Sequence, residues 1–307
     1  MMELQRMSPL TRDRIASAGL DPHDVQTVID RTVREDLDGG VDITSVATVP
    51  AGQRSVVTFG ARADGCLAGL DIACAVVETV CGPDNVSIER VRSDGDRVRS
   101  GDVIARVSAP TRSMLTAERT ALNLMCHLSG VATATAKWVD AVEGTGAVIR
   151  DTRKTTPLLR RMEKYAVRCG GGQNHRMSLS DAALVKDNHI AAAGGVEKAF
   201  SLIRAAAGSL PIEIEVDTIE QLQVAIAAGA DVVLLDNMSP DVMRHAVQVA
   251  ADHRSRTGQD VLLEASGGLT LDNARSVAET GVHFISVGGL THSSPILDIG
   301  LDFETIV

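Results

Sequence analysis

The densest chemistry in the sequence lies between Arg150 and Asp187. Nine Lys or Arg (150, 153, 154, 160, 161, 164, 168, 176, 186) face four acids (151, 163, 181, 187), a local excess of five positive charges in an acidic chain. Such an excess points to an anionic ligand. Arg160, Arg161, Lys164 and Arg168 fall at helical spacing and read as a solvated helix face. Arg153, Lys154 and Lys186 instead stand at or just after the ends of apolar runs. A guanidinium presents a planar fork and an ammonium a compact point charge, so Arg153 beside Lys154, following Thr152, can serve two anionic groups at once. That suits a dicarboxylate.

Other residues fit the same chemistry. Gly170 to Gly172 precede Gln173-Asn174-His175-Arg176, and three glycines permit close backbone approach to a ligand. His175 is a candidate because of these neighbours. Glu215 and Asp236 end consecutive apolar runs and would open on one mouth, where two carboxylates can hold Mg²⁺; either could equally pair with Lys186 or Arg153. Ser266-Gly267-Gly268 and Val287-Gly288-Gly289 end the last two runs and lead toward helix starts, as phosphate-binding backbone-amide loops do. Arg119, on an otherwise apolar helix, reads equally as an ion-pair partner of Glu118 and as a ligand-facing cation.

These residues need a scaffold that gathers run ends. From residue 147 on, six short aliphatic runs (147–152, 183–188, 212–217, 232–237, 261–266 and 284–289) end in polar or glycine residues and alternate with Ala-rich helical stretches. That alternation predicts a parallel sheet with both faces covered, and convergent polar ends predict a barrel, incomplete because eight units are not present. The helix after Asp217-Thr218 has its cap there and Gly229 beyond its last turn. Before residue 112, alternating strands such as Ser55–Phe59 and Val103–Val107, separated by Gly and Asp turns, predict a separate α+β domain; residues 114–143 read as a long helical connection. The turns within Asp94–Ile104 are read as structural.

Composition excludes several classes. A net charge of −10 and pI near 5.3 argue against a general affinity for nucleic acid or anionic membrane. Five cysteines without CxxC pairing predict a reduced, cytoplasmic protein. The charged segment Met1–Arg14 lacks a signal-peptide core and receives no role, and no apolar stretch is long enough to span a bilayer. One Trp, one Tyr and four Phe leave little for base stacking.

Taken together, Glu35-Asp36-Leu37 with Val41–Thr44, Leu115–Thr120 with Leu128–Thr133, Asp151–Pro157, Gly170–Arg176, Val185–His189, Glu213–Val216, Leu234–Asn237, Glu264–Gly268 and Ser286–His292 resemble the quinolinate phosphoribosyltransferase family nearly end to end. The resemblance implies an α/β fold: an incomplete, six- to seven-stranded α/β barrel over residues 130–289, with an N-terminal α+β open-sandwich domain, 1–129, completed by 290–307. It implies transfer of phosphoribosyl from phosphoribosyl pyrophosphate to quinolinate with decarboxylation, in de novo NAD biosynthesis, by a homodimer that shares its active sites. Arg119 would reach the partner subunit's site. Arg153, Lys154, His175, Arg176 and Lys186, with Thr152, would surround the quinolinate carboxylates. Glu215 and Asp236 would face ribose and Mg²⁺, and the two glycine loops the 5′-phosphate. Lys154, Lys186, Glu215 and Asp236 are the candidates for catalysis, with no side-chain nucleophile required. A related pyrophosphorylase-like protein acting on another base would share the phosphate loops, and a regulatory sensor of phosphorylated metabolites is a third reading. The intact base-side cluster favours a dicarboxylate over the second, and the retained Glu215 and Asp236 argue against the third. Gly289 stands where some relatives carry alanine, and no functional loss is expected from it.

Overall fold

The computed structural model describes residues 4–306. In chain order, α1 (Pro9–Ser17), α2 (Pro22–Leu37) and α3 (Ile43–Thr48) precede β1 (Arg54–Ala61), β2 (Gly65–Cys66), α4 (Leu70–Cys81), β3 (Ser87–Arg90), β4 (Arg97–Val98), β5 (Val103–Pro110) and α5 (Thr111–Ala141). Then follow β6 (Val148–Arg150), α6 (Arg160–Cys169), β7 (Ala183–Val185), α7 (Asp187–Ala193), α8 (Val196–Ala207), β8 (Ile212–Val216), α9 (Ile219–Ala227), β9 (Val232–Asp236), α10 (Pro240–Thr257), β10 (Leu262–Ser266), α11 (Leu271–Ala278), β11 (Phe284–Ser286), α12 (Gly289–His292) and β12 (Ile299–Ile306). The chain divides into two compact units, one of Met1–Ala134, Thr156–Gly171 and Ser293–Val307, the other of Thr135–Thr155 and Gly172–His292. The segment 156–171, placed by the sequence reading inside the barrel run, thus groups with the first unit.

In the first unit β12, β1, β5 and β3 form an antiparallel sheet in that order. β12 pairs with β1 from Ser55↔Ile306 to Ala61↔Ile299. Val57, Phe59, Ile104 and Val107 are buried in this sheet, and α4 is buried along almost its whole length. Helix α5 buries Met114, Ala117, Ala121, Met125, Leu128 and Ala132, a stripe at the helical period. The turns at Gly95 and Gly101 have φ of 92° and 91°, and Asp94 accepts from the Gly69 and Leu70 amides and from the Tyr165 hydroxyl. Their structural reading holds.

Two expectations change here. The segment before Arg14 has a structural place: Ser8 caps α1, Ser8 Oγ and Thr11 Oγ1 donate to Glu78 on α4, and Arg14 pairs with Asp71 at 2.9 Å. Met1 to Glu3 of that segment include residues outside those described. Lys164 is not on a solvated face; it is fully buried on α6 beside buried Met162, Ala166 and Val167.

The second unit is a six-stranded parallel sheet in the order β6-β11-β10-β9-β8-β7. The helix after β8 begins at Thr218 as the sequence predicts, and α10 and α11 start in the same way at Ser239 and Thr270, the three hydroxyls accepting from the amides of Gln221, Val242 and Asn273. Strand period two sorts the sheet. Ile149, Ile214, Val216, Val233, Leu235, Leu263, Ala265 and Ile285 are all essentially inaccessible on one face. The opposite face, in register, carries Arg150, Glu213, Glu215, Asp236, Glu264, Ser266 and Ser286. One face of this sheet is therefore apolar core, and the other sets these polar groups among Leu184, Val232, Leu234, Leu262 and Phe284. No helix among the described residues is long and apolar enough to cross a membrane.

Candidate active site

The site's first wall is built on the β6 edge. Gln173 forms a single parallel bridge with Arg150: its N–H donates to Ile149 O (2.8 Å), and the Asp151 N–H donates to Gln173 O (3.2 Å). This partial seventh strand carries the glycine-led segment alongside β6. Asp151 itself is wholly buried; Oδ1 accepts from the His175 N–H (2.8 Å) and Oδ2 from Asn174 Nδ2 (2.6 Å). Its carboxylate therefore ties the end of β6 to the segment bearing His175 and Arg176. Thr152 Oγ1 accepts from the Lys154 N–H (3.1 Å), tightening the turn that presents Arg153.

Arg153 and Arg176 are the charge centre of this wall. Each has a buried Nε with no hydrogen-bond partner, and neither makes an ion pair among the described residues. Arg176 Nη1 donates to Ala182 O (3.0 Å). Burial, reinforced by the charge on Arg153, pulls the Arg176 guanidinium below its ordinary value. Asp181 and Glu213 offset only part of this, so the two like charges, half-buried side by side, are suited to an anion, whose carboxylate would relieve both desolvation and repulsion.

Lys154 is exposed and lies against the last glycine loop. A Cβ built on Gly288 would sit 3.0 Å from Lys154 Cδ and 3.5 Å from Nζ, and Thr291 Oγ1 donates to Lys154 O (2.8 Å). Gly289 has open space around it. On the preceding loop Gly267 has φ 82°, and a Cβ there would fall 2.3 Å from Asn237 Oδ1. Asn237, itself left-handed at φ 53°, donates its N–H to Ser266 O (2.9 Å) and its Nδ2 to Asp236 (2.9 Å). The Val287 N–H donates to Arg150 O (3.0 Å). Lys186, just beyond β7, makes a close ion pair with Glu215 on β8, one of the two pairings left open for that glutamate. Arg119 belongs to the first unit, exposed on α5; no ion pair with Glu118 forms.

Four residues of the polar face escaped the sequence reading as functional. His175 Nε2 lies 2.8 Å from Glu213 Oε2 and 3.5 Å from Glu264 Oε1, while its Nδ1 accepts from the Arg176 N–H (2.7 Å). Arg150 Nη1 donates to Glu264 Oε2 (2.8 Å), its guanidinium stacks 3.3 Å from the Phe284 ring centroid, and Ser286 Oγ donates to Glu264. Burial, and then the charge of Glu213, pushes the Glu264 carboxyl up. His175, Glu213 and Glu264 offer ligand atoms within 4.8 Å of one another, a donor set able to hold a metal ion. The signal for Glu213 was the Ile-Glu-Ile-Glu alternation of β8, which reads as a half-exposed strand unless the second face is itself enclosed; Arg150, Glu264 and Ser286, on β6, β10 and β11, carried no such pattern. The five cysteines are free thiols, and burial pushes those of Cys74, Cys81 and Cys169 up to about 12, so these three are not poised as nucleophiles.

With this geometry in hand, similarity to known proteins is informative. Residues 42–129 match the quinolinate phosphoribosyl transferase N-terminal domain and residues 131–302 the C-terminal domain of the same name. The chain is 52% identical over 274 residues to the nicotinate-nucleotide pyrophosphorylase [carboxylating] of Mycobacterium leprae, covering 89% of this chain and 95% of that protein. It is 43% identical over 269 residues to a probable enzyme of the same name from Bacillus subtilis, covering 87% and 89%. The solved nicotinate-nucleotide pyrophosphorylase of Francisella tularensis superposes with a TM-score of 0.85 at 37% identity, covering 92% of this chain and 96% of that one.

Proposed function

The chain belongs to the quinolinate phosphoribosyltransferase family, and from that premise we propose that it joins quinolinate to phosphoribosyl pyrophosphate with loss of CO₂, giving nicotinate mononucleotide and pyrophosphate. The observation that carries this reading is the pair Arg153 and Arg176, half-buried and without an ion pair among the described residues, which a pyridine dicarboxylate would complete. The assignment of roles follows the chemistry of each group. Arg153, Arg176 and Lys186 take the carboxylates, with Thr152 shaping the turn and His175 in the same wall. The loops Ser266-Gly267-Gly268 and Val287-Gly288-Gly289 take the 5′-phosphate through main-chain amides.

The ring nitrogen attacks C1 of the ribose, the C1–O bond breaks, and pyrophosphate leaves with the electron pair. The resulting pyridinium accepts the electrons released as the 2-carboxylate departs as CO₂, and a solvent proton then fills C2. Catalysis by positioning and charge suffices. Lys154, lying across Gly288, is placed to neutralise phosphate oxygens; Lys186, balanced by Glu215, orients the base.

Mg²⁺ fits Glu215 and Asp236 better than the His175 cluster. The former supply only the hard oxygen donors that the ion prefers, with Glu215 exchanging Lys186 for it, whereas the cluster contributes an imidazole nitrogen and a Glu264 held by Arg150 and Ser286. Bound there, Mg²⁺ would neutralise charge on the departing pyrophosphate. Arg119, exposed and without an ion pair among the described residues, supports a dimer in which it completes the partner subunit's base pocket. Five free thiols support a cytoplasmic setting.

The test is incubation of the purified protein with quinolinate, phosphoribosyl pyrophosphate and Mg²⁺. Stoichiometric nicotinate mononucleotide, CO₂ and pyrophosphate are expected; turnover of nicotinate but not quinolinate would assign the chain to a different base.

A further inference from the structure

His175 has little left to offer a substrate through its ring nitrogens. A main-chain N–H can only donate, so the 2.7 Å contact from Arg176 N fixes Nδ1 as an unprotonated acceptor. In the neutral ring the proton is then on Nε2, which meets Glu213 Oε2 at 2.8 Å. Glu213 is more than nine-tenths buried, and its other oxygen, Oε1, has no hydrogen-bond partner. Such a group is costly to bury unless it holds something in place. What it holds is legible: the imidazole links Glu213 on β8 to the peptide of Arg176, and Asp151 clamps the same peptide segment from the β6 side through His175 N (2.8 Å).

We propose that Glu213 is a positioning residue for base binding, acting through an Nε2–H His175 to set the Arg176 backbone and hence the guanidinium beside Arg153. In this arrangement His175 is a spacer of fixed tautomer, and the carboxylates of the substrate fall to the arginines. Neither Glu213 nor Glu264 touches the reacting atoms. Glu264, held by Arg150 and Ser286, closes the far side of the imidazole at 3.5 Å. Rotation of an unanchored ring would release the Arg176 N–H, and a displaced guanidinium would lose part of its two-point grip on a carboxylate.

This inference rests on the reaction assigned above, and its test is chosen to separate the two. Glu213→Ala is expected to raise the quinolinate KM, and the quinolinate Kd measured by calorimetry without turnover, by about tenfold or more, the equivalent of one charge-assisted hydrogen bond. The phosphoribosyl pyrophosphate KM should stay within about twofold on the same reasoning, because the glycine loops are untouched. Glu213→Gln, whose amide oxygen still accepts from Nε2–H, should restore most of the quinolinate affinity. A merely structural glutamate would instead lower thermal stability and shift both KM values together, which would overturn the proposal. If Glu213→Ala does not fold, ¹⁵N imidazole spectra of the unaltered enzyme decide: among eight histidines, the signals absent from a His175→Gln variant must be those of an Nε2–H ring. An Nδ1–H or doubly protonated ring would defeat the proposal, and so would a ring ligating added Zn²⁺ through Nε2. Failure to turn over quinolinate would sink the assigned reaction while leaving the tautomer measurement intact.

Discussion

Two groups of cations that are close neighbours in the sequence are treated in opposite ways by the fold. On α6, Arg161 reaches Asp24 at 3.4 Å, Arg168 donates to Ala18 O at 2.7 Å, and Lys164 is buried with the helix's apolar face. Beyond the ends of β6 and its bridging segment, Arg153 and Arg176 are half-buried, each with an unpartnered Nε and no ion pair among the described residues. The first group is spent on its own unit; the second is held in reserve. Local charge excess therefore does not by itself single out the proposed site, whereas desolvated cations without a close ion pair do point to it.

Removing the reserve should have the largest effect. Arg153→Ala is expected to raise the quinolinate KM by about a hundredfold, from loss of a forked, partly buried ionic contact worth roughly 3 kcal/mol; initial rates across quinolinate concentrations measure it, and near-normal kinetics would refute the base-side role. Next comes Gly288→Ala, whose Cβ must displace Lys154. A fall of about tenfold in kcat/KM for phosphoribosyl pyrophosphate is expected from that misplacement, against no change for Gly289→Ala, which enters open space. Equal effects from the two would remove Lys154 from the phosphate loop.

The interior pair supplies a subtler contrast. Because burial raises the Glu264 carboxyl, the folded chain holds that proton more tightly than the unfolded chain. The stability it contributes is fully present below the ordinary glutamate value and is lost as pH rises through the raised folded value. Melting curves from about pH 4 upward, starting near the ordinary glutamate value, should show that decline flattened in Glu264→Gln; an unchanged profile would mean that Glu264 stays ionised throughout. Smallest of all, Arg161→Ala removes an exposed pair and should alter stability by about 0–1 kcal/mol with no kinetic change. A measurable rise in quinolinate KM there would blur the division between the two groups.

Much of this arrangement is legible in the sequence because it depends on local signals. Strand ends are marked by the change from aliphatic to polar residues at Asp151, Lys186, Asp236 and Ser266, and helix starts by Thr218, Ser239 and Thr270. What escapes is whatever depends on enclosure. Glu213 alternates with isoleucines as solvent-facing positions do, Glu264 follows an aliphatic run as strand ends do, and only the register of five parallel pairings encloses both. Arg150 counts as a free cation until Phe284 and Glu264 are placed around it. Lys164 satisfies a helical surface pattern, yet packing on α6 buries it. The fate of segment 156–171 depends on nonlocal contacts that no periodicity records.

The pairing of β12 with β1 sets an order of assembly. The two strands lie some 250 positions apart, from Ser55 to Ile306, and every strand of the parallel sheet is synthesised between them. As the chain emerges from the ribosome, β1 can pair with β5 early but must carry one bare edge until the second unit has been made. The first unit begins folding first and finishes last. Its late strand acts as a closing seam, so a chain interrupted anywhere in the barrel is also left with an unsealed, aggregation-exposed sheet at its beginning.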